Sequence, residues 1–371
     1  YMNMSTQVNE KMKIERVMNI FPVLDAGGTE DVILKTSNYL IGEKNVKVAM
    51  FSDCSGGQRK QDFLDLGIVL LNNPYAKNKK KIFGNISSLK KAIQEFQPQI
   101  VHTHSLHSLV IAYVNRIING GKYKIVHTGH GGPKVNYDDI SKRLAFMADK
   151  YITLSNQSFS KISENGKNKD ICLIYNGTSA PQESEIFNRK ILTSNGVLQL
   201  AFIGRLTKQK GLPTLIQALG ILDKQGIDFE MNIIGDGEDR IALENEASVL
   251  GISEQVRFHG YSNRPWALVK DIPIIVMPSL WEQGALVAIE AIIRNHTIVA
   301  TDINGVNDVV IDNETGYLFD KQNSEALARI LKDLSEQKKE LIFIAESVRN
   351  KFLFPERTGV KIYQVYEDVL Q

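Results

Sequence analysis

Cysteine is almost missing. With only Cys54 and Cys172 in 371 residues, neither a disulfide framework nor a cysteine metal cluster can be built, and a reducing cytoplasm is the compartment that fits. Net charge is missing too. The 44 basic and 42 acidic residues leave a formal +2, which excludes a nucleic-acid binder working through a broad basic field. No run approaches the roughly 18 apolar residues of a membrane-spanning helix. The polar opening YMNMSTQVNEKMK lacks the apolar stretch of a signal peptide, and Tyr1 to Met12 reads as a frayed extension. Short-period repeats are absent, and the one biased tract is the lysine cluster Lys77 to Lys81.

What is present is the composition of a soluble globular protein, 43% hydrophobic, in a chain long enough for two cores. From Arg16 onward, short β-branched apolar segments alternate with amphipathic helical ones, the signature of parallel βαβ units. Seven such segments run from Val17 to Tyr175. The pattern then dissolves into the polar stretch Thr178 to Glu185 and restarts with six more, from Leu198 to Phe319. This predicts α/β architecture: two Rossmann-like, doubly wound parallel-sheet domains facing a cleft, divided as 1–185 and 186–355. Helices fill the tail from Ser324 until Pro355 interrupts them, so 356–371 reads as a separate helix able to pack back on the first domain.

Ligands of open α/β sheets bind beyond the carboxyl ends of the strands, and the chemistry-bearing residues cluster there. After the segment Ile272 to Met277 comes PSLWEQGALVAIEAI, with Glu282 and Glu290 flanking a helix expected to start near Gly284. Its first amides, at Ala285 and Leu286, are free to bind an anion. The Glu-x7-Glu spacing recurs at Glu230/Glu238 and Glu238/Glu246, so by spacing alone the preferred reading is a helix cap at Glu282 and a paired structural carboxylate at Glu290. After Leu198 to Ile203 comes Gly204-Arg205, then Lys208 and Lys210. Gly204 lets the backbone turn, and Arg205 and Lys210 bring cations suited to phosphate, or simply to surface acids. Gly235-Asp-Gly237 is another glycine turn, and His259-Gly-Tyr261 adds an aromatic on the same rim. In the first half, Gly27-Gly28 permits close backbone approach or a plain tight turn. His102, His104, His107, His127 and His130 sit at strand ends. Without nearby acidic or cysteine ligands they make a poor zinc site, and a polar contact from His130 into the cleft is the better reading.

Taken in order, Gly27-Gly28-Thr29-Glu30, Val126-His-Thr-Gly-His130, Asn176-Gly177, Gly204-Arg205 with Lys210-Gly211, Gly235-Asp-Gly237, Phe258-His-Gly260, Pro278-Ser279, Glu282 to Glu290 and Gly316-Tyr-Leu318 resemble a retaining glycosyltransferase of the GT-B fold and family 4 (group 1) type. The likeness spans nearly the whole chain. It implies that Arg205 and Lys210 hold a donor diphosphate, that Glu290 binds the nucleotide ribose, and that the amides at Ala285 and Leu286 cap the phosphates. Glu282 would hold the donor sugar, His130 would lie near its reacting carbon, and Gly28 would let the first domain close on the phosphates. Gly204, Gly235 and Tyr261 would shape the nucleotide site. Members are usually metal-independent, so no cofactor and no metal are expected, with a UDP-sugar as substrate. The chain departs from the family where an aromatic and a glycine give way to Gly284-Ala285, which predicts a phosphate loop of different shape, and where a common glutamate is Asp308.

The implied activity is transfer of a hexose-type sugar from a nucleoside diphosphate to a saccharide or lipid-linked acceptor in cell-surface polysaccharide biosynthesis. A UDP-sugar 2-epimerase on a similar fold, or a decayed non-catalytic binding protein, are the alternatives. The lysines from Lys77 to Lys91 suggest peripheral contact with an anionic membrane from the cytoplasmic side, or else a solvated face.

Overall fold

The computed structural model describes residues 13–25, 27–131, 136–163, 170–188, 196–282 and 284–371. The opening at 1–12 lies outside them. Two parallel sheets account for the architecture. The first contains β1 (Arg16–Ile20), β2 (Lys47–Ser52), β3 (Val69–Asn72), β4 (Ile100–Thr103), β5 (Lys124–Gly129), β6 (Lys150–Thr153) and β7 (Ile171–Leu173), in the order β3-β2-β1-β4-β5-β6-β7. The second contains β8 (Leu198–Ile203), β9 (Phe229–Ile234), β10 (Val256–Gly260), β11 (Ile274–Met277), β12 (Thr297–Thr301) and β13 (Tyr317–Phe319), in the order β10-β9-β8-β11-β12-β13. Both are doubly wound α/β sheets of the Rossmann kind.

The inner strands are largely apolar because helices cover both faces. Along β8, Leu198, Leu200 and Phe202 enter one core, while Ala201 and Ile203 enter the core on the opposite face. In β11 all four residues, Ile274 to Met277, are buried. At roughly 25 cal/mol per Å², such two-sided burial is the main favourable term in folding.

The chain crosses between the sheets twice, and the crossings are joined. Thr178 N–H donates to Phe352 O at 3.0 Å, and Phe354 N–H donates to Thr178 O at 2.7 Å, so the outgoing and returning runs form a short parallel bridge. Arg357 locks it, donating from Nε to Asn176 O at 2.8 Å with its guanidinium over the rings of Tyr175 and Phe352. The last helix, Val360–Leu370, buries Ile362, Val365 and Tyr366 in the core of the first sheet.

The tail differs from the sequence expectation. The helix Ser324–Ser335 ends early, residues 336–345 are irregular, and one α-helical turn at Glu346–Arg349 runs into a 3-10 turn at Asn350–Phe352. A π-helical turn, Pro355–Gly359, precedes the last helix, which therefore starts at Val360 rather than at 356. A side chain at Gly359 would press on the Tyr39 ring, so glycine lets this turn pack against the first domain.

Tyr366 is fully buried, and its hydroxyl lies 2.6 Å from His102 Nδ1. Tyr366→Phe leaves that nitrogen buried without a partner, so urea unfolding should show a loss of about 1–3 kcal/mol at unchanged m-value. An unaltered midpoint would refute the contact.

Candidate functional site

Strand order reverses between β1 and β4 in the first sheet and between β8 and β11 in the second. Each reversal opens a crevice beyond the carboxyl ends of those strands. The loops that leave them carry Gly27-Gly28, His104, Gly204-Arg205 and Pro278 to Glu282, so most of the residues singled out by sequence sit at the two switch points.

In the second domain the loops are stitched together by close backbone approach. Gly235 has φ +140°, and a Cβ there would strike Gly204 O, so the turn after β9 can touch the turn after β8 only because residue 235 is glycine. Gly235 N–H donates to Gly260 O at 2.8 Å, which places Tyr261, 55% exposed, on the same rim. Leu280 N–H donates to Gln209 O at 2.8 Å, which ties the loop after β11 to the turn Lys208–Lys210. That tie brings Lys210 Nζ into an ion pair with Glu282 Oε1, which also accepts from Ser279 Oγ at 3.0 Å. A lysine carries three N–H donors, so Lys210 can hold Glu282 and still reach an anion.

The helix expected from near Gly284 begins at Leu286 and runs to Ile293. Ala285 caps it at φ 39°, ψ 41°, a left-handed conformation that costs a non-glycine residue about 1–2 kcal/mol. No side chain caps the first turn, so its amides remain available to an anion. At 284 an aromatic has no room, because Asn176 Nδ2 occupies the place of a Cβ.

Facing this, the Cβ position of Gly28 lies 3.5 Å from Leu286 Cδ1, so the two domains meet at the helix start. The space beside Gly27 is taken by Arg205 Nη2 and Glu30 Oε2, each 2.5 Å from its Cβ position. Glu30 is buried, and burial holds its carboxyl above the usual carboxylate range, with Arg205 pulling the other way. In the sequence Glu30 stands out only as the end of the run Gly27-Gly28-Thr29-Glu30. Its partnership with Arg205 joins residues 175 apart in sequence, and no local pattern signals it.

Glu290 lies between the domains. Its Oε2 accepts from Trp266 Nε1 at 3.1 Å and its Oε1 from Thr178 Oγ1 at 3.4 Å, with Lys35 Nζ at 3.7 Å. Lys35 Nζ also donates to Thr178 Oγ1 at 3.2 Å and pairs with Asp31 at 2.5 Å. Burial raises the Glu290 carboxyl, and Lys35 opposes that most strongly. Sequence reading missed Lys35, Thr178 and Trp266. The one available signal was Trp266, since a buried indole N–H seeks an acceptor.

The histidines form a chain. His104 Nε2 lies 2.9 Å from Asn19 Oδ1, and His104 Nδ1 lies 3.0 Å from His130 Nε2. The amide oxygen only accepts, so His104 donates to it and accepts the His130 Nε2–H, leaving His130 Nδ1 as an acceptor. His102 is held by Tyr366 and by Thr128 Oγ1 at 2.7 Å, and His127 Nδ1 by Thr103 Oγ1 at 2.8 Å. Among the described residues no three His, Cys, Asp or Glu side chains group closely enough to hold a metal ion, and no hydrogen bond or ion pair joins His130 to the Lys210–Glu282 pair.

Burial pushes His130 down to about 4, His102 to about 3 and His296 to about 4, and it holds His104 and His127 well below 6.5. With folded values below the unfolded one, this stability is fully present above 6.5 and is lost as pH falls toward 4, because only the unfolded chain takes up the protons. Glu30 and Glu290, raised by burial, act in the opposite sense but number two against five. The melting temperature should therefore fall between pH 6.5 and about 4. Differential scanning fluorimetry across that window checks this, and a flat profile would contradict it.

Comparison with known proteins agrees with this geometry. Residues 26–180 match the family model described as Glycosyltransferase Family 4, and residues 183–350 match Glycosyl transferases group 1. An uncharacterized glycosyltransferase of Haemophilus influenzae is 27% identical over 368 residues, covering 95% of this chain and 98% of that protein. Among solved structures, Anabaena Alr3699/HepE in complex with UDP and glucose superimposes with a TM-score of 0.79 at 17% identity, covering 95% of this chain and all of that one. The lipopolysaccharide outer core galactosyltransferase WaaB in apo form gives 0.74 at 18%, covering 96% and 99%. The paired sheets are thus the GT-B fold, and with two family models spanning nearly its whole length the chain belongs to the group 1, family 4 glycosyltransferases.

Proposed function

We propose that the protein transfers a hexose-type sugar, with retention of anomeric configuration, from UDP to a saccharide or lipid-linked acceptor. The observation that carries this reading is the convergence of Lys210, Arg205 and an uncapped helix start on one side of a cleft whose other wall is Gly27-Gly28. Departure of a nucleoside diphosphate develops negative charge on the β-phosphate. Preorganised cations and backbone amides stabilise that charge without reorganising at the moment of reaction. The solved Anabaena neighbour, named for its complex with UDP and glucose, supports the choice of nucleotide.

Each remaining residue has a role in this reading. Glu290 keeps lone pairs free on both oxygens after accepting from Thr178 and Trp266, enough for two ribose hydroxyls. Glu282, oriented by Lys210 and Ser279, holds hydroxyls of the donor sugar. Tyr261 supplies an aromatic face to the base on the rim built by Gly204 and Gly235. His130, neutral at pH 7 because burial lowers it to about 4, offers Nδ1 to the sugar as an acceptor. The cations take the part a magnesium ion would play, so the reaction is metal-independent in this reading and chelators leave its rate unchanged.

Lys210→Ala should reduce kcat/KM by about 10²–10³, the scale of losing one preorganised donor, and abolish the thermal shift given by UDP while leaving the far-UV circular dichroism of the free protein unchanged. Wild-type activity in that variant would remove Lys210 from the site. Incubation with UDP-glucose alone separates the epimerase alternative, since a transferase without acceptor gives no 2-epimer. NMR of the product's anomeric proton tests retention, and an inverted linkage would defeat it.

A further inference from the structure

We propose that Lys35, a residue of the first domain, positions the nucleotide ribose: acting through Thr178 it fixes the Glu290 carboxylate, so that the ribose acceptor is complete only when the two domains are closed on each other. The inference rests on the reading of Glu290 as the ribose carboxylate. What it adds is that ribose selectivity is set from the domain that does not carry Glu290.

Two facing stripes bring these groups together. Gly28, Asp31 and Lys35 stand three and four apart along the helix Gly28–Lys44, while Leu286 and Glu290 stand four apart along Leu286–Ile293. The Cβ position of Gly28 lies 3.5 Å from Leu286 Cδ1, and Lys35 Nζ lies 3.7 Å from Glu290 Oε1. Opening the cleft separates both pairs.

Donor and acceptor chemistry fixes the direction of each bond. An ammonium only donates, so Lys35 Nζ donates to Thr178 Oγ1 at 3.2 Å, and the hydroxyl proton of Thr178 is left for Glu290 Oε1 at 3.4 Å. Without the lysine that hydroxyl is free to rotate away. On the other oxygen the Trp266 indole, which also can only donate, reaches Oε2 at 3.1 Å. Each carboxylate oxygen is thus held by one protein donor, and the remaining lone pairs have a set direction. The shorter contact of Lys35 is to the hydroxyl rather than to the acid, so the lysine aims a proton before it acts as an ion-pair partner.

The surrounding charges leave this task to Lys35. Arg294 pairs with Glu185 at 2.9 Å, lies over the Trp266 ring and reaches only the main-chain oxygen of Glu290. Among the described residues Lys35 is therefore the cation within ion-pair reach of the Glu290 carboxylate. Asp31 holds Lys35 at 2.5 Å, and Arg59 stands 3.9 Å from Asp31, so charge alternates in sign from Arg59 to Glu290. Burial lifts the Glu290 carboxyl and Asp31 adds to it, with Lys35 the strongest opposing charge, ahead of Arg294.

Titration calorimetry of the protein with UDP and with 2′,3′-dideoxy-UDP tests this. Hydrogen bonds from the ribose to a carboxylate should make the wild type prefer UDP by at least about tenfold. Lys35→Met keeps the apolar stem and removes the charge. It should cut that preference about fivefold or more, the lower end of ordinary coupling between sites, while the Kd for dideoxy-UDP stays within about twofold. Thr178→Val should act in the same direction. In a Glu290→Gln background, adding Lys35→Met should change the preference no further. A Lys35→Met protein that keeps the wild-type preference, that weakens both nucleotides alike, or that lowers the preference further in the Glu290→Gln background would overturn the proposal. The first two outcomes leave Glu290 in its ribose role. A wild type that binds the two nucleotides equally removes that role, and the positioning of it as well.

Discussion

A carboxylate taken out of water must be met by donors, and Glu290 is met from both domains at once. Trp266 belongs to its own domain, Lys35 to the first helix of the other, and Thr178 to the crossing between them. Removing any of them leaves a buried charge short of a partner, which costs more than the contact contributes when present. The carboxyl responds by rising above its ordinary range. The same demand repeats more gently around Glu30, where Arg205 reaches across the cleft to the turn that Gly27 keeps open. Domain closure and site geometry are therefore one electrostatic problem, with the charges of each domain completed by the other.

The sheets make that possible by where they reverse. At a switch point neighbouring loops diverge, so backbone amides, glycine turns and long cations can be presented to a ligand without competing for hydrogen bonds within the sheet. Arg205 and Lys210 leave β8, Glu282 leaves β11, and Gly27-Gly28 leaves β1. His102 on β4 is instead satisfied by two hydroxyls, His127 on β5 takes one from Thr103, and His104 just after β4 is held by Asn19. They form a rigid neutral wall rather than a charged one.

Much of this was legible in the residues. Strands buried on both faces read as nearly unbroken apolar runs, so β8 coincides with its expected span, and glycines after strands marked the loops that matter. Periodicity failed where tertiary contact overrides it. Residues 336–345 contain helix-forming residues yet run irregularly, while Tyr317 and Thr297 hydrogen-bond to carbonyls there. Ala285 belongs to the same class. A substitution of glycine by alanine suggests a changed loop, but Ala285 adopts the left-handed conformation that glycine takes freely and accepts the strain. The Glu290 partners lie at positions 35, 178 and 266, and no single-sequence pattern links residues so far apart.

The docking of the final helix also bears on how the chain folds as it is made. Ile362, Val365 and Tyr366 complete the core around the first sheet, yet they are synthesised after the whole of the second sheet. A nascent chain that has finished β7 holds every strand of the first sheet but leaves part of its apolar face open to water. The second sheet, continuous in sequence from Leu198 to Phe319, has no such wait. The half synthesised first is thus the half whose core is completed by residues made after the other half.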